Sequence, residues 1–248
     1  MTFNHLAEAV VGDTIQSLEA HRTSYAYPAA FLGASGPLDL SQCAHPFSCR
    51  VDGVTGSELE GYLSTLLRSD DVGQRLVGVA AVVYWGFFTF SHGYAEVRVQ
   101  RVWDVLRAEP DRLKGVRDAA EQADMGQALG ALGTLPQLSG VPFASKVVAF
   151  LHPERAGVYD NKVNRLMCNL KRLPPHLVAW LEPHAGAFST AHLRPVSSPA
   201  VQQRYAHWCE FLRNTATALN ARGSRLGGNA WRALDVERAV FAMADANP

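Results

Sequence analysis

Two residues with chemistry to offer stand fourteen positions apart in the stretch SGVPFASKVVAFLHPERAGVYDNKVNRLM, residues 139–167: Lys146 and Asp160. Val147, Phe150 and Leu151 recur at helical spacing and are expected to face a core. Lys146 sits one step off that stripe, in the first turn of a helix expected over 143–152, where the positive end of the helix dipole disfavours a charged amine. A neutral lysine amine is a nucleophile toward a sugar C1′, and the product is a Schiff base. Asp160 closes the loop HPERAGVY and precedes a segment in which Val163, Leu166 and Met167 share one helical face, so its carboxylate is the expected N-cap. Taken singly, each is ordinary, a solvated lysine and a helix cap. Their pairing behind a Pro/Gly turn is what points to a site.

The elements that must position them are helical almost throughout. Periodicity predicts helices at about 3–21, 57–69, 74–90, 96–108, 111–133, 143–152, 160–172, 174–181, 199–221 and 232–245. Breakers separate them at ASGPLDLSQCAHP (34–46), LPQLSG (135–140), HPERAG (152–157) and ARGSRLGGN (221–229). A short hairpin is expected within 41–56. The fold class is therefore mainly α, with two helical lobes around a cleft. Around the turn at Pro136, Ser139 and Gly140 the pattern is helix–hairpin–helix, at about 124–152. Such a hairpin offers backbone N–H groups and a helix N-terminus to a phosphate without reading sequence.

At 248 residues and 48% hydrophobic side chains the chain can bury a full core. No apolar run approaches the roughly 20 residues of a membrane span, and the start MTFNHLAEAVVGD lacks the basic and apolar regions of a signal peptide, so a cytoplasmic protein is expected. Cys43, Cys49, Cys168 and Cys209 are too scattered for a zinc knuckle or an iron–sulfur loop and are read as free thiols, with no metal and no cofactor. Net charge is zero, but residues 1–145 carry 10 Lys+Arg against 16 Asp+Glu while 146–248 carry 13 against 7. The basic half begins at Lys146, as a polyanion-binding face would require.

On these residues the chain resembles the helix–hairpin–helix DNA glycosylases, in particular the prokaryotic 8-oxoguanine-DNA-glycosylase-fold branch, which includes anti-phage enzymes. The resemblance rests on Leu135, Pro136 and Gly140 of the hairpin, on Lys146 and Asp160, and on the closing segment WRALDVERAVFAMA from Trp231. It implies a single glycosylase-like domain over 1–248, with a variable part at 1–73 and a helical core at 74–245. It also implies that Lys146 attacks C1′ while Asp160 stabilises the oxocarbenium charge. Gly140, Val141, Ser145, Lys162 and Arg165 would hold DNA. One departure is the reading Gly-Val-Pro in the hairpin, since Pro142 has no N–H to offer a phosphate.

A flipped base must be held between aromatic or apolar walls. The stretch VVYWGFFTFSHGY (82–94) is dense in rings; Tyr84, Phe87 and Phe88 share a face and are expected in the core, leaving Trp85 and His92, together with Trp231, as pocket candidates, with Gly86 and Gly93 opening space. Tyr205, Trp208 and Cys209 form a second stripe read as core. Lys171, Arg172, Arg222 and Arg225 add positive charge for phosphates. The expected function is excision of a modified base from double-stranded DNA by a monomer, leaning to a bulky base of phage DNA such as glucosylated hydroxymethylcytosine in antiviral defence. Alternatives are an 8-oxoguanine repair glycosylase with lyase activity, a non-catalytic helix–hairpin–helix DNA-binding module, and an all-α scaffold unrelated to DNA.

Overall fold

The computed structural model describes residues 3, 6–26, 31–34, 47–50, 56–88, 92–188 and 195–247, the strands and residues 92, 93, 187 and 188 by backbone alone. The chain is mainly helical: α1 Glu8–Ser24, β1 Phe31–Ala34, β2 Phe47–Arg50, α2 Gly56–Arg68, α3 Val72–Phe87, α4 His92–Ala108, α5 Lys114–Glu121, α6 Met125–Ala131, α7 Val141–Leu151, α8 Asn161–Cys168, α9 Pro175–Phe188, α10 Pro199–Ala221 and α11 Ala233–Ala246. β1 and β2 pair antiparallel with Phe31 opposite Arg50. The hairpin expected within 41–56 thus contributes one strand, and its partner lies upstream.

Buried side chains from all eleven α-helices form one contiguous cluster. At its centre is α7, where every residue from Ala144 to Leu151 is buried, so this stretch has no solvent face. The helix starts at Val141, two residues earlier than expected, with Pro142 in the first turn, where its missing N–H costs nothing. Lys146 consequently falls in mid-helix rather than in the first turn. The dipole argument for its neutral form gives way to a stronger one, burial.

The helix expected over 111–133 is divided. Ala123 adopts φ 63° and Asp124 then accepts from the backbone N–H of Gln127 (2.8 Å), ending α5 and starting α6. The sequence signal was Asp-Met-Gly-Gln, an N-cap followed by Gln at the third helical position. After α6 a 3-10 turn at 132–134 leads through Leu135–Gly140 into α7, with Gln137 at φ 69°. Ser139 carbonyl oxygen accepts from Val196 N–H (3.0 Å), which ties this turn to the start of α10.

Candidate active site

Asp160 does what its position predicts. Its Oδ1 accepts from the backbone N–H of Lys162 (2.9 Å) and Val163 (3.0 Å), capping α8. Both bonds fall on one carboxylate oxygen, and Oδ2 takes no hydrogen bond among the described residues. Asp160 and Lys146 line one small cavity of about 20 Å³, together with Trp85, Phe150, Val158, Leu234, Phe241, Tyr25, Glu237 and Arg238. That volume holds a single water. A larger occupant enters only if the walls withdraw.

Lys146 is 8% exposed, with Nζ 5.2 Å from the centre of the Phe143 ring and 5.5 Å from that of Trp85. It makes no ion pair among the described residues. Burial lowers its pKa from the usual lysine value, and the negative charges of Asp160 and Glu237 oppose that shift without reversing it. Glu237, on α11, is 3% exposed and its carboxyl makes no hydrogen bond among the described residues. Burial, reinforced by Asp160, pushes it up to about 8 against the partial relief of Arg238 and Lys146. Burial thus biases both groups toward their neutral forms, the carboxyl toward one able to donate a proton and the lysine toward its free amine.

A network of charges fixes α11 behind this cavity. Asp235 is paired with Arg22 of α1 (2.9 Å) and Arg232 (2.8 Å), while the buried Glu60 of α2 holds Arg232 and Arg238 (2.7 Å to the latter). The Arg238 guanidinium lies 5.4 Å from the centre of the Tyr25 ring. Glu237 is thereby set into the cavity by neighbours on the same helix that are bonded elsewhere.

The loop between α7 and α8 is equally constrained. Ser145 Oγ accepts from Tyr159 N–H (3.1 Å), Tyr205 Oη donates to Gly157 carbonyl oxygen (3.1 Å), Trp208 Nε1 donates to Val158 carbonyl oxygen (3.1 Å), and Leu234 N–H donates to Pro153 carbonyl oxygen (3.0 Å). At Gly157 a Cβ would stand 2.4 Å from Leu212 Cδ1 and 2.7 Å from Glu237 Cβ, so only glycine lets the loop lie against α11. These bonds run in part from the Tyr205/Trp208 stripe, which is buried as expected and also holds the loop that delivers Asp160.

The structure brings together Lys146, Asp160 and Trp85. Gly140 and Val141 lie at the start of α7; the Val141 side chain is buried, leaving the backbone as the part a ligand can meet. Ser145 was expected to touch DNA, but it is 0% exposed and its hydroxyl is spent on Tyr159. That expectation is corrected: on an all-round buried helix it cannot reach a phosphate. Lys162 pairs with Asp245, and with Arg165 and Arg172 it lines a groove of about 340 Å³ between α8 and α11. Trp231 lies outside the walls of the cavity; its Nε1 donates to Ser224 Oγ (2.8 Å) in the turn after α10. The His92 side chain is outside the described residues, as are Cys43 and the side chain of Cys49, and Gly93 is described by its backbone alone; Cys168 and Cys209 are free thiols. The space left by Gly86 is filled by Phe143, whose Cε1 would be 2.3 Å from a Cβ there.

Sequence reasoning missed Glu237. The signal was present: in ALDVERAVF it stands between Leu234 and Phe241 on the stripe of an apolar helix, the same anomaly that drew attention to Lys146. Among the described residues no group of three or more His, Cys, Asp or Glu side chains is arranged to hold a metal ion, and no helix is long and apolar enough to cross a membrane. Compared with protein-family models, curated proteins and solved structures, the chain matches none.

Proposed function

We propose that this chain is a DNA glycosylase that excises a modified base, with Lys146 as nucleophile and Asp160 as the carboxylate that stabilises positive charge on the sugar. The observation that carries the reading is the buried amine of Lys146, depressed in pKa, sharing a cavity with Asp160 at the head of α8. In this reading the α6–α7 turn is a helix–hairpin–helix element that meets the DNA backbone. The cleft between two helical halves is the cavity itself, with α3 and α7 on one side and α11 on the other.

The free amine attacks C1′ as the N-glycosidic bond breaks, and the base leaves with the bonding electron pair. Glu237, neutral up to a pH of about 8, supplies a proton to that base. The attacking nitrogen then loses a proton and the sugar ring opens to a Schiff base, which water hydrolyses or which eliminates the 3′ phosphate. Because the cavity has room for only a water, base entry requires its wall residues to move apart. A phosphate-binding role for Lys146, which the non-catalytic DNA-binding alternative needs, is disfavoured by its burial between two rings. Among bases, the bulky modified base of phage DNA stays first, on the Gly-Val-Pro departure at Pro142, which would make the protein part of antiviral defence.

The test counts abasic sites formed in duplexes carrying 8-oxoguanine or glucosylated hydroxymethylcytosine, with Asp160→Asn as control. Release that the variant fails to reproduce supports the reading, and the responsive duplex names the base. Intact DNA binding with no release from either duplex would favour the binding-module alternative.

A further inference from the structure

A concavity larger than the Lys146 cavity lies elsewhere among the described residues. A groove of about 790 Å³ runs along α10 beside the turn between α5 and α6 and the loop that leaves α7. Four basic side chains line it: Arg204, His207 and Arg213 from α10, and Arg155 from the loop. Asp124 and Glu210 are the acidic groups on its wall, and Glu210 stands 4.0 Å from His207. The guanidinium groups of Arg155 and Arg213 make no hydrogen bond or ion pair among the described residues. The acids nearby therefore leave both guanidinium forks available.

We propose that this groove binds a phosphate-bearing small molecule of nucleotide size. Guanidinium forks match phosphate oxygens two at a time, and Arg155 and Arg213 both lie on the wall of this one groove. The volume lies within the range of about 300–1,000 Å³ that small-molecule sites occupy. Asp124 and Glu210 supply acceptors for the hydroxyl or amino groups of the remainder of such a ligand.

Duplex DNA fits the groove less well. The hairpin that would face a DNA backbone precedes Val141, whereas Arg155 follows the far end of α7, and eleven helical residues separate those ends by roughly 16 Å. The groove also touches the chemistry of the cavity only through the protein. Arg155 lies on the loop that ends in Asp160, and the opposite wall is the helix that carries Tyr205, the hydrogen-bond partner of Gly157. A phosphate held between Arg155 and Arg213 would pin that loop to α10.

The experiment is calorimetric titration of the full chain with adenosine 5′-monophosphate, inorganic pyrophosphate and adenosine, repeated with the double variant R155Q/R213Q. Both side chains are exposed, so the variant is expected to unfold at the same temperature as the parent. The proposal expects saturable binding of the mononucleotide, none of adenosine, and a loss of affinity of more than about tenfold in the double variant. Binding of pyrophosphate alone would narrow the ligand to a free phosphate and still support the site. No saturation by either phosphate compound up to ~10 mM, or equal binding by the double variant, overturns it. Binding of a single-stranded oligonucleotide in place of both small phosphates, lost in the same variant, would replace the proposal with a nucleic-acid contact. None of these outcomes depends on Lys146.

Discussion

Lys146 of α7 and Glu237 of α11 wall the same cavity from different helices, and burial shifts each toward its neutral form despite the attraction between their charges. Desolvation of two charges outweighs what they would gain from each other, because no hydrogen bonds complete the pair. A fold that only needed stability would have placed apolar side chains here. The cost is consistent with a site where a free amine and a protonated carboxyl are needed together.

If the amine is the nucleophile, borohydride reduction during turnover captures the chain covalently on DNA. Lys146→Gln is expected to abolish capture and lower base release by about 10²-fold or more, with DNA binding retained. Capture undiminished in the variant would move the nucleophile elsewhere.

Asp160 has two roles that substitution separates. Asparagine caps a helix as well as aspartate, so Asp160→Asn is expected to unfold within about 0.5 kcal/mol of the parent, whereas Asp160→Ala loses the bonds to Lys162 and Val163 and about 1 kcal/mol. Base release is expected to fall in both. Chemical denaturation and abasic-site counting on the same preparations check the pair, and full activity in Asp160→Asn would leave only the cap.

Glu237 makes stability depend on pH. Its ordinary value is 4.5 and its value in the fold is about 8. Between those pH values the native chain holds a proton that the unfolded chain has lost, so stability falls as pH rises across the window and stops falling above about 8. Glu237→Gln is expected to flatten that fall and to raise stability at pH 7 by on the order of 3 kcal/mol. Lys146, whose pKa is lowered, acts in the opposite sense at higher pH, where stability rises toward its ordinary value of 10.5. Thermal unfolding from pH 5 to 9 measures both, and parallel curves for parent and variant would contradict the assignment to Glu237.

Ser145 and Arg165 were expected to share a task, and their burial separates them. Ser145→Ala is expected to cost about 1 kcal/mol through the lost bond to Tyr159 while leaving the salt dependence of DNA binding unchanged. Arg165→Gln is expected to leave stability unchanged and to reduce the salt slope by about one phosphate contact. Binding isotherms at several salt concentrations distinguish them, and an altered slope in Ser145→Ala would reopen its exclusion from the interface.

Local pattern sufficed for much of this architecture. The spacing of Val147, Phe150 and Leu151, the breakers at Pro136 and Gly140, and the aspartate ahead of Val163 and Leu166 place α7, the turn before it and the cap of α8, because helix periodicity and capping are properties of neighbouring residues. That Lys146 and Asp160 act together was implied by the resemblance rather than by periodicity, and the cavity both of them line is a tertiary feature. What tertiary packing alone decided is how deep each residue lies. That α7 is enclosed on all sides puts Ser145 out of reach of DNA and makes burial, rather than the helix dipole, the cause of the shift at Lys146. Glu237 joins the cavity from a helix ninety-one positions along the chain, where Gly157 lies close against α11. Periodicity reports which face of a helix is apolar; which helix covers that face, and which charge it carries there, is settled by contacts between residues distant in sequence.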